Sequence, residues 1–376
     1  MLKMKTNAEL EEIYGQMICE LIKLKQGTVK VTKLHDFAVA VKKELDAIDI
    51  ILEVEDMPQE DDKERLEIWD KKYIKKFVSL PFEKLQEISL KKAKEKSESE
   101  IEEKIRKMYS GFTKGIDVNR LSKDWQKEKW KEYAFEVEEK MQKKVYLKPY
   151  QLITEMQKMS YCPYCNSRTI ESRGSKAGGE LDHFYAKNEE ENPLLALCLY
   201  NFVPSCSVCN NAKRDIGNFQ SPYDSEYDID SIRFISFFSP GNIKNTVKVK
   251  VEISGNMYDS EKLSKMSVND TQEPILNNFV QMKIMDEYKE GDQIRNLIWD
   301  IMDKNSNYME SLAQISNTTV NKIFYRMYGE LLDDDELIRN QKGKYKRDFL
   351  YQHNIIQKKE GKYVFNEEFG GVEEWK

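Results

Sequence analysis

Four of the six cysteines are arranged as two pairs with the same internal spacing. Cys162 and Cys165 enclose Pro-Tyr, Cys206 and Cys209 enclose Ser-Val, and 40 residues separate the pairs. Two residues between thiolates let one tight turn present both sulfur atoms to a single ion, and two such turns complete the tetrahedral four-sulfur shell of a structural Zn²⁺ site. Redox-active CxxC motifs usually occur singly, so the pattern favours structural zinc over a redox pair.

The other two cysteines do not share this spacing. Cys19 and Cys198 lie in apolar stretches. Free cysteine behaves there as a small apolar residue, so both are predicted to be core residues.

A second set of polar residues lies between and directly after the cysteine pairs: Asp182, His183, Asn201 and Asn210. A carboxylate oxygen and an amide oxygen are ligands suited to Mg²⁺ or Mn²⁺. An imidazole with an ordinary pKa of about 6.5 is a competent base at neutral pH. Each residue alone has a structural explanation, such as a turn or a helix cap. Their combination with the cysteine pairs favours a catalytic role over these structural explanations.

The segments ELDHFYAK, LYNFVPS and CNNAK, placed around the two CxxC pairs, resemble the HNH (ββα-metal) endonucleases, in the variant held by a four-cysteine zinc. The resemblance implies that His183 is the general base and that Asp182 binds a catalytic Mg²⁺ or Mn²⁺. It implies that Asn201 orients His183 and that Asn210 is the second metal ligand. Many members have His where this chain has Asn210, an allowed variant that leaves an oxygen shell.

Two basic residues follow the last cysteine closely. Lys213 lies one helical turn after Cys209, and Arg214 is next to it. Both are candidate contacts to nucleic-acid phosphates, with an ordinary solvated surface as an equally weighted alternative. Basic patches at 140–148 and 339–347 carry the same two interpretations, and there the charged surface is favoured.

The run from ELDHFYAK to SPYD also resembles the HNH subunits of bacterial anti-phage systems, of which the Septu type and the retron-linked effectors are similar. That resemblance covers about residues 161–224. It implies a nuclease effector that works with an ATPase-type partner subunit.

Three regions are predicted along the chain. Residues 1–150 form a helical N-terminal region, in which Asn7 caps the first helix. Residues 151–225 form the nuclease module with the zinc site, and residues 226–376 contain short strands followed by helices. The predicted strands are 232–238 and 246–253, joined around Pro240-Gly241. The fold class is therefore mainly α, with an embedded zinc-stapled ββα-metal (HNH, treble-clef-like) module and a short β-hairpin.

The net charge and the hydropathy of the chain restrict its possible contacts with nucleic acid and with membranes. Sixty Lys and Arg against 66 Asp and Glu give a net charge of -6, so a general polycationic coat for nucleic acid is excluded. The N-terminus shows no secretory signal, and the longest uncharged run, 192–212, contains prolines and too short an apolar part to span a bilayer. We expect a cytoplasmic protein without membrane contact.

These features predict a metal-dependent endonuclease that hydrolyses phosphodiester bonds, with DNA favoured over RNA. The alternative is a four-cysteine zinc scaffold that binds nucleic acid or protein without cutting it. Asp182, His183, Asn201 and Asn210 favour the enzyme, because a pure scaffold needs none of them.

Overall fold

The chain is mainly helical and carries small antiparallel sheets. The structure is a computed structural model. It describes residues 1–24, 34–59, 61–93, 99–113, 115–118, 133–139, 142–174, 176–188, 192–214, 218–238, 247–268, 271–288, 292–304 and 306–366. Within these ranges no helix combines the length and the apolar character needed to cross a membrane.

The N-terminal region begins with five helices. They are α1 (Ala8–Leu24), α2 (Leu34–Ala47), α3 (Lys63–Val78), α4 (Phe82–Lys92) and α5 (Glu100–Phe112). The Asn7 side chain accepts hydrogen bonds from the backbone of Glu9 and Leu10, so its predicted role as a cap is confirmed. Ser99 and Glu102 form a capping box that fixes the start of α5.

A small sheet follows the helices, in a region for which the sequence predicted helices alone. Its strands are β1 (Ile116–Asp117), β2 (Phe135–Glu139) and β3 (Gln142–Leu147), in the order β1-β3-β2 and all antiparallel. The register places Glu138 opposite Lys143 and Ile116 opposite Leu147. Lys and Glu favour helices locally, but strand formation depends on pairing partners that lie far away in the sequence. Local propensity therefore misses this sheet.

The central segment contains a strand pair followed by a helix. Its elements are α6 (Pro149–Met156), β4 (Glu180–His183), β5 (Phe202–Ser205) and α7 (Ser207–Lys213), with 3₁₀ helices at Pro193–Leu197 and Leu199–Asn201. Strands β4 and β5 are antiparallel, and His183 lies opposite Phe202. Gly179 directly precedes β4. A Cβ at this position would lie 2.4 Å from the Ser205 carbonyl oxygen, so the close approach of the two strands requires glycine here.

The C-terminal region contains the predicted strand pair and returns to helices. Its elements are β6 (Ile232–Phe238), β7 (Val247–Ile253), β8 (Asn256–Tyr258), α8 (Ser260–Ser264), α9 (Pro274–Gln281), α10 (Asp292–Asp303), α11 (Ser306–Ile315), α12 (Val320–Tyr328), α13 (Gly343–Gln352), β9 (Ile356–Lys359) and β10 (Lys362–Phe365). The antiparallel pairing of β6 with β7 is confirmed, while the predicted turn at Pro240-Gly241 lies outside the described residues.

Buried apolar side chains from all three regions form one continuous cluster between Met1 and Phe365. Helix α5 packs against the 3₁₀ helix Pro193–Leu197, and the Tyr14 hydroxyl of α1 donates a 2.7 Å hydrogen bond to the Leu197 carbonyl. The N-terminal helices therefore support the central segment directly. The division into three domains stays a prediction.

Candidate functional site

The two cysteine pairs converge on one point. All four side chains, those of Cys162, Cys165, Cys206 and Cys209, are buried, and their sulfur atoms lie within 4.8 Å of one another. Four sulfur donors and no oxygen donor suit a closed structural site for a soft or borderline metal. The cluster can therefore hold a metal ion such as zinc. Cys19 and Cys198 are buried in the core, as predicted.

Each cysteine pair is presented by a different local structure. In the first pair, the Asn166 backbone N–H donates to the Cys162 carbonyl at 2.7 Å, and the Cys162 N–H donates to the Arg168 carbonyl at 2.9 Å. In the second pair, Cys206 is the N-cap of α7 and its sulfur accepts from the Cys209 N–H at 3.5 Å. Because α7 starts at the second pair, a metal ion bound there would fix the helix that follows β5.

Asp182 lies at the inner end of β4, next to the first cysteine pair. Its side chain is only 7% exposed. The Tyr164 hydroxyl donates a 2.6 Å hydrogen bond to Oδ2, and the Lys213 ammonium lies 3.2 Å from Oδ1. Tyr164 comes from inside the first CxxC pair, so the cysteine cluster and Asp182 are joined by one side chain. Nothing in the sequence indicated this role of Tyr164.

Lys213 is buried, which differs from both interpretations made from the sequence. The side chain is 3% exposed, and its ammonium also donates to the carbonyls of His183 at 2.9 Å and Phe184 at 3.1 Å. Its predicted position at a surface open to phosphate is therefore wrong. The reason is geometric: Lys213 lies one turn after Cys209 on the inner side of α7, so its long chain reaches the end of β4. Arg214 is exposed, as expected.

His183 points into an aromatic environment. Its ring packs against Tyr109 of α5 and Phe202 of β5, with centroids 4.6 and 4.8 Å away. Nε2 lies 3.2 Å from the Ala196 carbonyl oxygen. A carbonyl can only accept, so Nε2 carries the proton of the neutral ring and Nδ1 keeps its lone pair.

Burial determines the charge of His183. Desolvation, aided by the positive charges of Lys187 and Lys213, lowers its pKa from 6.5 to about 3, against a small raising effect of the Ala196 carbonyl. The imidazole is therefore neutral at physiological pH. A neutral imidazole is the form required of a general base.

Asn201 fixes the backbone around His183 by hydrogen bonds to backbone atoms. Its Oδ1 accepts from the Tyr185 N–H at 2.7 Å, and its Nδ2 donates to the carbonyls of Tyr185 and Leu195, both at 3.0 Å. One side chain therefore links the residues after His183 to the 3₁₀ helix that supplies the Ala196 carbonyl. These bonds connect Asn201 to His183 through the backbone.

Asn210 lies on the outer side of α7, beside the start of β4. Its Nδ2 donates to Glu180 Oε2 at 2.5 Å. Glu180 precedes Asp182 by two residues, so both carboxylates belong to the same face of β4. Glu180 was not singled out from the sequence, although its spacing from Asp182 is the signal that points to it.

The basic patch at 339–347 is largely internal. Lys342, Lys344 and Arg347 are buried, and Lys344 pairs with Asp348 at 2.5 Å. The charged surface that the sequence favoured here is wrong for these three residues. Lys344 and Arg347 pair with carboxylates of the C-terminal region, and the Lys342 ammonium donates to the Ser167 hydroxyl and to the Glu287 carbonyl. The side chains from 140 to 144 in the other patch lie outside the described residues.

Within the described ranges, the cysteine cluster is the one group of three or more His, Cys, Asp and Glu side chains placed to share an ion. A catalytic Mg²⁺ would therefore depend on a carboxylate together with amide oxygens and water. Comparisons with family models, with curated proteins and with solved structures find no match for this chain.

Proposed function

We propose that this protein is a metal-dependent HNH-type endonuclease that hydrolyses phosphodiester bonds, with DNA as the favoured substrate. One observation carries the proposal. Strand β4 ends in Asp182-His183, pairs with β5, and is followed by α7, whose first turn completes the four-cysteine cluster. This order of strand, strand and helix is the one that the resemblance to ββα-metal nucleases implies.

In the proposed mechanism, His183 removes a proton from the attacking water through Nδ1. The support is its tautomer: the Ala196 carbonyl holds the proton on Nε2, which leaves the Nδ1 lone pair as the proton acceptor. Burial lowers the pKa of the ring and so makes it a weaker base without substrate. Asn201 keeps this carbonyl and the backbone after His183 in place. A nearby phosphate would raise the imidazole pKa, because negative charge favours the protonated form.

Asp182 and Asn210 are the proposed holders of Mg²⁺ or Mn²⁺, and Glu180 is a third oxygen donor next to Asn210. A bound divalent ion would stabilise negative charge on the scissile phosphate and on the leaving oxygen. In the described arrangement, Asp182 contacts Tyr164 and Lys213, while Asn210 contacts Glu180. The chain's own contribution is to keep these oxygen donors on one face of β4 and on α7.

The proposed biological role is that of the nuclease effector in a bacterial anti-phage system, working with an ATPase-type subunit. The net charge of -6 supports a partner, since affinity for nucleic acid comes largely from neutralising phosphates. The burial of Lys213 removes one cation that was a candidate contact to phosphate. The partner would then supply substrate capture.

A non-catalytic zinc scaffold is the second candidate function, and one observation favours it. Asp182 has its carboxylate satisfied internally, and His183 is only 9% exposed. Buried and satisfied polar groups are also expected of residues that stabilise a fold. A scaffold of this kind would bind nucleic acid or a protein without cutting.

The two candidates are separated by an assay of the purified full chain. Plasmid, single-stranded DNA and tRNA are incubated with Mg²⁺ or EDTA, with and without a co-purified ATPase subunit. If the protein is a nuclease, cleavage should depend on Mg²⁺. The cleavage rate should fall by a factor of about 10² to 10⁴ in His183→Gln, because the general base is lost. Gln keeps an amide N–H that can donate to the Ala196 carbonyl.

His353→Gln is the matched control for this assay. His353 lies directly after α13, and burial lowers its pKa to about 4, so it resembles His183 chemically but lies outside the candidate site. Cleavage at the wild-type rate is expected in this variant. If the chain binds one zinc but cleaves nothing in any condition, the result would contradict the nuclease and support the non-catalytic zinc scaffold.

A further inference from the structure

Lys213 occupies a ready-made cation site. Its ammonium is bound by three oxygens, namely Oδ1 of Asp182 and the carbonyls of His183 and Phe184, at 2.9 to 3.2 Å. The side chain is 3% exposed. One carboxylate and two carbonyl oxygens are also what a hard metal cation seeks in a protein. The positive charge of Lys213 therefore lies beside Asp182, the acidic ligand of the proposed metal site.

The surroundings of the ammonium strengthen its interaction with Asp182. The ammonium lies 5.3 Å from the ring centre of Phe184 and 6.0 Å from that of Phe219. Aromatic faces attract a cation and keep water away from it. With little water present, the two opposite charges are weakly screened. The negative charge of Asp182 is thus largely balanced inside the protein.

A divalent ion that binds Asp182 would bind a carboxylate whose negative charge is already balanced by Lys213. Lys213 and the ion would repel each other, and both would compete for the same negative charge. Tyr164 holds the other carboxylate oxygen by a hydrogen bond, but as a neutral group it adds no repulsion. Of these two contacts, Lys213 is the one that opposes metal binding by its charge.

We infer that Lys213 is a positioning residue and internal counter-ion that sets the affinity of the Asp182 site for divalent cations. The inference rests on the metal site of the proposed function. Lys213 keeps Asp182 and the backbone of His183 and Phe184 in place without metal, and it makes divalent binding weak. Weak binding leaves the site dependent on substrate phosphate to complete the ion's shell.

The test is a titration of the zinc-loaded full chain with Mn²⁺, followed by the electron paramagnetic resonance signal of free Mn²⁺, without nucleic acid. Lys213→Gln removes the charge and keeps a hydrogen-bond donor, and Lys213→Met removes both. Loss of the charge should tighten Mn²⁺ binding about tenfold or more. Lys213→Arg keeps the charge and should bind Mn²⁺ as weakly as the wild type.

The direction of the change separates this role from a merely structural one. A structural lesion would weaken Mn²⁺ binding, whereas removal of an opposing charge strengthens it. Asp182→Asn combined with Lys213→Gln should abolish the gain, since the carboxylate is lost. Unchanged or weaker binding in a folded neutral variant would overturn the inference, and so would loss of fold and zinc in both neutral variants. A chain that gains Mn²⁺ affinity but cleaves nothing would instead count against the nuclease.

Discussion

Tyr164 donates a 2.6 Å hydrogen bond to Asp182, and both residues are buried. Tyr164 lies between the two cysteines of the first CxxC pair, whereas Asp182 precedes His183 in β4. The contact therefore connects the cysteine cluster to the candidate site through one side chain. A change in the geometry of the first cysteine pair would be transmitted directly to the Asp182 carboxylate.

Tyr164→Phe should destabilise the protein by about 1.5 to 3 kcal/mol, because a hydrogen bond to a buried charged group is lost. Zinc content should stay unchanged, since no sulfur is removed. Urea unfolding and metal analysis measure the two quantities. Tyr150→Phe is the matched control: its hydroxyl donates 2.6 Å to the neutral Ile170 carbonyl, so a smaller loss is expected. Equal losses in both variants would contradict a special role for the Asp182 contact.

Cys162→Ser or Cys209→Ser should behave as folding lesions. Each removes one sulfur from the cluster, and the free energy of metal binding is then lost to the folded state. We expect loss of bound zinc and protease cleavage between about residues 160 and 215. Cys19→Ala, which changes a buried cysteine outside the cluster, should keep its zinc. Wild-type zinc content in the two serine variants would show that the cluster does not bind the metal.

The sequence predicts those features that depend on local spacing. The cysteine cluster follows from two CxxC pairs, the cap at Asn7 from its place before an apolar stripe, and the β6–β7 pair from alternation in 247–253. These patterns are complete within a short stretch of chain. Their physical meaning does not depend on which distant segment packs against them.

The surroundings of the candidate site could not be predicted in the same way. His183 contacts Tyr109, which precedes it by 74 residues, and the burial of Lys213 depends on the end of β4. The conversion of a predicted surface lysine into a buried counter-ion is a tertiary effect. The sequence gives the spacing of one helical turn between Cys209 and Lys213, but it does not show that the ammonium meets three oxygens at the end of β4.

Acid should destabilise the protein partly through His183. Burial lowers its native pKa from 6.5 to about 3, so between these values the unfolded chain binds a proton that the native chain does not. This contribution to stability is therefore lost as the pH falls below 6.5. From pH 7.5 to pH 5 it amounts to about 2 kcal/mol.

The measurement is urea unfolding of wild type and His183→Gln at both pH values. The difference between the two proteins removes the contribution of thiols and of other titrating groups. The variant should lose about 2 kcal/mol less than the wild type on acidification. An identical loss would mean that His183 is not buried in its neutral form.

Asn166 lies directly after the first cysteine pair, and its side chain reaches the C-terminal region. Helix α13 has no side-chain cap of its own, and Asn166 Oδ1 accepts from the Lys344 N–H in its first turn at 3.1 Å. Asn166 Nδ2 also donates to the Leu337 and Asn340 carbonyls at 3.2 and 3.1 Å. Asn166 therefore caps a helix that begins almost 180 residues later in the chain.

Asn166→Gly should cost about 2 to 4 kcal/mol, since three buried hydrogen bonds are lost while the left-handed backbone (φ 50°) is tolerated. Asn166→Ala should cost about 1 kcal/mol more, because alanine also resists this conformation. Exposed Asn317 has a similar backbone (φ 46°), so there only the Ala variant should be destabilised. Urea unfolding gives the energies, and hydrogen exchange should show faster opening of α13 in both Asn166 variants. Wild-type protection of α13 in Asn166→Gly would refute the capping role, because the helix would then begin equally well without this side chain.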